Sequence, residues 1–231
     1  FNRYGYNSNT NNSTDGISSI NPDDVESINV LKGSAATALY GTNGANGVVL
    51  ITTKKGKSGK LSVDFNSGLT FDTPMLSPEV QNAFAQGNGG VFGVNSPQSW
   101  GPAIAGQQVT DWPGKQTTLA AQPDNLKDFF ENALSLYNSI AFSGGTNITQ
   151  TYFSYANVHS EGLVPKNNLN RHTVNLRITS NIGKRFSTDA KVTYLHQEIA
   201  NKPGVGGGSA PINIYRIPRT VRLEDVKNYE S

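Results

Sequence analysis

A strict period of two, which begins at Lys60, constrains the fold more than any other feature of the sequence. Apolar and polar side chains alternate from Lys60 to Asp72. Successive side chains of a β-strand point to opposite faces, so this pattern predicts a strand with one apolar and one polar face. Strands of soluble sheets are usually only ~5–6 residues long, and this segment is much longer. The apolar face consists of Leu61, Val63, Phe65, Leu69 and Phe71.

The same alternation returns further along the chain, and the connections between the repeats differ in length. The candidate strands are 60–72, 136–143, 148–158, 173–182 and 186–194. The short connections are 144–147 and 183–185, and the long ones are 74–132, 159–168 and 200 onward. Glycines in the short connections are typical of hairpin turns. Short turns at one end of the strands and longer loops at the other are typical of outer-membrane barrels.

The apolar content also favours a barrel over a soluble domain. Hydrophobic residues make up 35% of the chain, whereas soluble domains typically contain ~45–50%. A barrel with a wet interior tolerates this deficit because only its outer face needs apolar side chains. A soluble β-sandwich also alternates and stays the main alternative, although its strands are shorter.

The register of the strands decides which side chains would meet lipid. A one-residue slip would turn Asp64, Asp72 or Arg177 outward. An arginine that faces lipid at the midplane costs ~2–4 kcal/mol, and aspartate costs less. We therefore expect the polar set, including Asn175 and Arg177, to face the lumen of the barrel.

Residues 1–59 lack this period and form a separate region. Phe1–Ser19 is polar and rich in asparagine, and we expect a flexible loop there. The segment Asn21-Pro22-Asp23-Asp24 is typical of a helix start, with asparagine as the N-cap, proline at the first helical position and acids in the first turn. A metal site built from these carboxylates and Glu26 is the alternative, but capping explains them better.

A strand–helix–strand unit follows the helix start. Residues 28–31 are predicted to form a short strand, 35–40 a helix that Gly41 ends, and 48–53 a buried strand rich in branched side chains. The loop before the last strand carries small and turn-forming residues, namely Gly44, Asn46 and Gly47. The region is therefore predicted to be a small α/β unit.

Several kinds of chemistry are disfavoured. The glycines of 41–47 precede a strand and not a helix, so they do not form a phosphate-binding loop. The chain has no cysteine, and its three histidines, His159, His172 and His196, show no ligand spacing. A net charge of +2 is too small to indicate nucleic-acid binding. We expect no enzyme activity, no cofactor and no metal site.

The segment Ile17–Gly56 resembles the closing part of the plug in the SusC/RagA family of TonB-dependent outer-membrane transporters. The residues that carry the resemblance are the Asn-Pro-Asp-Asp cap, Leu39-Tyr40-Gly41 and the Gly44-Ala45-Asn46-Gly47 run. The implied fold is mainly β: an antiparallel outer-membrane β-barrel, represented here by about five strands, preceded by the C-terminal part of a small α/β plug. The implied domains are residues 1–59 for the plug and 60–231 for the first strands and loops of the barrel.

The resemblance also implies a location, partners and a function. Members of this family sit in the outer membrane of Gram-negative, Bacteroidetes-like cells and import oligosaccharides or peptides. They are energised by the TonB–ExbB–ExbD complex and work with a SusD-like surface lipoprotein. The chain would then be a piece of a longer protein. Two alternatives stay open: a receptor for siderophores or metal chelates, and an incomplete barrel bound by an outer-membrane assembly complex.

Candidate substrate contacts are few. Trp100, Trp112 and Tyr215 fall in the long loops, where aromatic rings can stack on cargo, and Arg177 is expected in the lumen. Within the first long loop, 124–134 is predicted to form a helix capped by Asp124 or Asn125. The basic run 54–60 suits a solvated linker or contact with anionic headgroups of outer-membrane lipid.

Overall fold

The structure, a computed structural model, describes residues 20–75, 78–183, 185–204 and 209–227. The predicted loop Phe1–Ser19 lies outside the described residues, as does Lys184 in the second predicted turn. Over the described ranges, none of the helices combines the length and apolar character that a membrane-crossing helix needs.

The first region folds as the predicted strand–helix–strand unit. A single 3-10 turn, Pro22–Asp24, leads into β1 (Val25–Leu31). Helix α1 (Ser34–Tyr40), a second 3-10 turn (Gly41–Gly44) and β2 (Val48–Thr53) follow. The two strands pair antiparallel. A Cβ on Gly44 would lie 2.5 Å from the carbonyl oxygen of Ala36, so only glycine lets this turn pack on α1.

Two details of this unit differ from the prediction. Asn21 does cap a helix, because its side chain accepts a hydrogen bond from the amide of Asp23 at 3.1 Å. That helix lasts only one turn, however, because the backbone is already extended at Val25. The prediction that β2 is buried is wrong, since Val49 and Leu50 are exposed. Among the described residues, β1 is the only strand that pairs with β2.

The chain next forms one long strand and a long connection. Strand β3 spans Gly59–Asp72. The connection contains two small hairpins and a short helix: β4 (Gly87–Asn88), β5 (Val91–Phe92), β6 (Gln108–Thr110), β7 (Gln116–Thr118) and α2 (Asn125–Phe129). The predicted helix 124–134 is therefore too long, because the chain is extended again from Phe130.

Four more long strands complete the main sheet. They are β8 (Ala133–Gly145), β9 (Thr149–Glu161), β10 (Asn168–Ile182) and β11 (Phe186–Ala200). With β3 they form, within the described residues, a five-stranded antiparallel sheet of order β11-β10-β9-β8-β3. All five predicted strands are present. Most are longer than predicted because their loop ends carry polar residues on both faces.

The two faces of this sheet are sorted as the alternation predicts. Apolar side chains of one face are exposed, for example Val63 at 52%, Phe65 at 66% and Leu176 at 37%. On the other face, Thr173 and Asn175 are only 4% and 7% exposed. A soluble sheet buries its apolar face, so this sheet has the inverse arrangement expected of a membrane wall.

The loop end of the sheet carries a small apolar core of its own. Helices α3 (Ala210–Arg216) and α4 (Leu223–Lys227) follow the last strand. Leu126, Ile214 and Leu223 are buried together there, with Phe129, Phe130 and Ile217 packed around them. Parts of the two longest connections are therefore joined into one bundle.

Candidate functional site: the contact between the α/β unit and the sheet

Asp24 anchors the α/β unit to two strands of the sheet. Its carboxylate is almost fully buried, with 3% of the residue exposed. The hydroxyl of Tyr152 on β9 donates to Oδ1 at 2.8 Å. The side-chain amide of Asn175 on β10 donates to Oδ2. Each carboxylate oxygen therefore has a donor from a different strand, which satisfies a charge that would be costly to bury alone.

Asp23 makes the equivalent contact with a third strand, β8. The hydroxyl of Tyr137 lies 2.5 Å from its Oδ2 and 2.7 Å from Oδ1 of Asn21. Ser139, two residues further along β8, also donates to Oδ2 of Asp23. The predicted capping segment therefore does more than start a helix, because its acids and its N-cap all meet hydroxyl groups of the sheet.

These contacts change the acidity of Asp23. Burial acts to raise the pKa of its carboxyl group. Hydrogen bonds from Ser139, Tyr137 and Asn66 and the positive charge of Lys54 oppose burial and outweigh it. The pKa of Asp23 therefore lies below its ordinary value, and the ionised form is the one that the sheet stabilises.

A second group of contacts holds the end of β2. Arg177 on β10 donates from Nη1 to the carbonyl oxygen of Thr53 at 2.9 Å. The same guanidinium pairs with both oxygens of Asp189 on β11, at 2.8 and 2.7 Å. Lys191 donates to Oγ1 of Thr53 at 3.2 Å, and Lys55 lies 3.7 Å from Asp189. Arg177 thus joins the α/β unit to two strands at once.

Both groups lie at the same end of the two-stranded sheet, because Val25 pairs with Thr53. The linker to β3 continues the contact: the amide of Lys57 donates to Oγ of Ser143 at 3.1 Å. Gly56 passes so close to the backbone of Thr151 that a Cβ there would overlap it. The result is a continuous polar contact across four strands of the sheet, which we call the plug contact.

The predicted site residues fall into two sets. Those of the capping segment, Asn21 to Asp24, lie in the plug contact, and Gly41, Gly44, Asn46 and Gly47 shape the α/β unit behind it. Of the predicted substrate residues, Arg177 also lies in the plug contact, where its donors are engaged by Thr53 and Asp189. A substrate role for Arg177 stays a prediction.

The three loop aromatics occupy separate surroundings. Trp100 packs beside Phe84, with ring centroids 5.9 Å apart. Tyr215 packs beside Phe130 at 6.1 Å. Trp112 lines a small pocket beside the β6–β7 hairpin with Asp111 and Arg222. The structure therefore does not gather them into one site.

Sequence reasoning missed Tyr137, Ser139 and Tyr152 as functional residues. They occupy inward positions of β8 and β9. In these two strands the contrast between apolar and polar positions is weak, because small and aromatic residues occur on both faces. Large hydroxyl-bearing side chains at inward positions were the available signal.

Comparisons with known proteins agree with this geometry. Residues 3–48 match the TonB-dependent Receptor Plug Domain family. The chain is 32% identical to TonB-dependent receptor P39 of Formosa agariphila over 213 residues. This alignment covers 90% of this chain and 19% of that receptor. It is 28% identical to TonB-dependent receptor SusC of Bacteroides thetaiotaomicron, over 86% of this chain and 18% of SusC. The chain belongs to the SusC/RagA-like TonB-dependent receptors.

A solved structure supports the fold of this SusC/RagA-like chain. The RagAB peptide importer in its closed-closed state superposes with a TM-score of 0.64 at 26% identity, over 90% of this chain and 26% of that chain. The α/β unit is thus a plug element and the five strands are part of a barrel wall. The chain spans about a fifth of the length of the curated receptors it matches. Those relatives are receptors and transporters, not enzymes.

Proposed function

We propose that the protein containing this chain imports large nutrients, oligosaccharides or peptides, across the outer membrane in a TonB-dependent manner. Residues 1–59 supply the end of its plug, and residues 60–231 supply the first strands and loops of its wall. The observation that carries this proposal is the plug contact on the inner face of a sheet whose outer face is apolar and exposed.

The outer face also has the geometry of a membrane band. Phe65, Ile140, Tyr155, Val174 and Tyr194 lie in one row across all five strands. A second row lies nearer the loops. It is apolar on β3 and β8, where it contains Phe71 and Leu134, but polar on β9 and β10, where it contains Glu161 and Asn168. The apolar band therefore runs obliquely across the sheet.

The size of this shift supports strands that are tilted in a bilayer. The upper edge of the band is at Phe71 on β3 and at Tyr194 on β11. Tyr194 shares the row of Phe65, which lies six residues below Phe71. With ~3.3 Å per residue and ~4.8 Å between strands, this shift across the whole five-stranded sheet corresponds to a mean tilt of roughly 45°. Membrane barrels tilt by ~35–45°, so a horizontal bilayer accounts for the oblique edge.

The plug contact supports a plug that can be released. It consists largely of hydrogen bonds to charged groups, each worth ~1.5–3 kcal/mol net because water can replace the lost partner. A buried apolar interface would have no such substitute. In this proposal the TonB–ExbB–ExbD complex supplies the force, and a SusD-like surface lipoprotein covers the loop end. Trp100, Trp112 and Tyr215 would contact cargo or this lipoprotein.

A reversible tether would test plug release. Asp23→Cys with Ser139→Cys in the full-length receptor would join plug to wall, since these side chains are hydrogen-bonded. The matched control is Ser135→Cys with Ser160→Cys, whose hydroxyls lie 2.8 Å apart on neighbouring wall strands. The chain has no cysteine of its own. We expect oxidation to stop uptake only in the first pair and reduction to restore it.

The cargo class needs its own measurement. The receptor gene would be deleted and then restored on a plasmid. Growth of the deletion strain with and without the plasmid would be compared on a peptide digest, on an oligosaccharide mixture and under iron limitation with an iron chelate. Growth on either of the first two nutrients supports the proposal. Rescue confined to the iron chelate would contradict it and identify a metal-chelate receptor.

A further inference from the structure

A cavity of about 710 Å³ opens at the loop end of the sheet. Its walls include Leu126 in α2, Phe130 directly after it, Leu163 from the β9–β10 connection and Tyr215 on α3. Sites for small organic ligands have volumes of ~300–1,000 Å³ and mostly apolar walls with a few polar groups. The cavity has this size and this character.

The walls are held in place by contacts outside the cavity. Leu126 belongs to the apolar core of the loop bundle and is 4% exposed. The ring of Phe130 packs edge-on against Phe129, with centroids 5.0 Å apart. The amide of Glu131 donates to the carbonyl oxygen of Leu163 at 2.9 Å, which fixes the β9–β10 connection beside α2. The cavity is therefore preformed.

Four residues with polar side chains line the cavity. They are Thr73, Lys127, Asn132 and Tyr215, and the last three are exposed at the mouth of the cavity. None of these side chains hydrogen-bonds or forms an ion pair with another residue in the described part of the chain. Together they offer one positive charge and additional donors beside an apolar wall.

We propose that this cavity binds a carboxylate that lies next to an apolar group, as found at the C-terminal residue of a peptide. The apolar side chain would pack against Phe130, Leu163 and Tyr215, and the carboxylate would pair with Lys127 and accept from Asn132. A saccharide fits less well, because apolar walls would leave many of its hydroxyl groups without partners. As a cargo site the cavity rests on the proposed import function.

Binding to the purified full-length receptor in detergent tests this assignment by calorimetry. The probes are acetyl-Gly-Gly-Phe with a free carboxylate, the same peptide as its C-terminal amide, octanoate and maltotriose. We expect the free carboxylate to bind roughly two- to fivefold more tightly than the amide, the gain of one exposed ion pair. Octanoate binding as tightly as the peptide would identify a free acid as the source of the carboxylate. Equal binding of acid and amide, or preferential binding of maltotriose, would overturn the proposal.

Variants locate the site. Lys127→Met should lower the affinity for the acid roughly two- to fivefold and leave that for the amide unchanged, whereas Lys127→Arg should retain both. Lys115→Met is the matched control, because Lys115 is an exposed lysine in the β6–β7 turn. An unchanged preference for the acid in Lys127→Met would place the carboxylate elsewhere and overturn the assignment. Uptake that persists in Lys127→Met leaves the import function standing, so the two proposals fail separately.

Discussion

Two regions of the molecule are held together by opposite kinds of interaction. In the plug contact, the buried carboxylate of Asp24 accepts from hydroxyl and amide groups of the sheet, and Arg177 of the sheet donates to Thr53. In the loop bundle, Leu126, Ile214 and Leu223 pack in an apolar core. When polar contacts separate, water replaces the lost partners and offsets most of their energy, whereas nothing offsets the exposure of an apolar core. The polar plug contact fits the proposed release of the plug, whereas the apolar core fits a loop bundle that stays intact.

The two largest expected effects are of similar size, and the first comes from the apolar region. Leu126→Ala should destabilise the loop bundle by ~2–5 kcal/mol, because it leaves a cavity in a small core. Hydrogen exchange of α2 and α3 amides in the full-length receptor would measure it. The comparison predicts no change in the protection of β1 and β2. Equal loss of protection in both regions would show that they are one cooperative unit.

Asp24→Ala is the corresponding change in the plug contact. It leaves the hydroxyl of Tyr152 and the amide of Asn175 without their acceptor, at ~1–3 kcal/mol for each buried group. The amides of β1 and β2 should exchange faster, and those of the loop helices should not. Asp72→Ala, at the exposed loop end of β3, is the matched control. If both variants behaved alike, the burial of Asp24 would have no energetic role.

Arg177→Lys tests the second half of the plug contact. Lysine keeps the charge but cannot pair with both oxygens of Asp189 while also bonding Thr53. We expect a loss of about 1 kcal/mol, since Asp189 is partly exposed. Proteolysis of the linker after β2 would detect it, with Arg185→Lys in the β10–β11 turn as the control. Identical cleavage rates in the two variants would contradict the assigned role.

The smallest effect is a dependence on pH. The pKa of Asp23 is lowered in the folded protein, so its contribution to stability is complete above the ordinary aspartate pKa of ~3.9 and is lost as pH falls below it. Protection of β1 and β2 should therefore weaken below about pH 4. Asp23→Asn should flatten this dependence. A plug contact that weakens equally in that variant would assign the titration to another group.

Local pattern predicted the strands well and the contacts between regions poorly. The alternation at Lys60–Asp72 placed β3 to within one residue. Side chains of a strand alternate between its two faces, and lipid on one face and the lumen on the other select apolar and polar residues with this same period of two. Tyr152 and Asp24, by contrast, are 128 residues apart in the chain, and no local period relates them. The sequence indicated that Asn21 caps a helix. It did not indicate that the neighbouring Asp23 and Asp24 bind the sheet, because that contact depends on which strands face them. Burial of β2 failed as a prediction for the same reason.

We expect adjacent residues of β10 to face the plug and the lipid in turn. The most direct test places single cysteines at 174–179 of the full-length receptor, attaches a spin label and measures collision rates with oxygen and with a water-soluble nickel complex in liposomes. At Leu176 and Ile178 we expect high oxygen and low nickel accessibility, and at Asn175 and Arg177 low accessibility to both. A uniform profile, or nickel accessibility at Leu176 and Ile178, would contradict the claim.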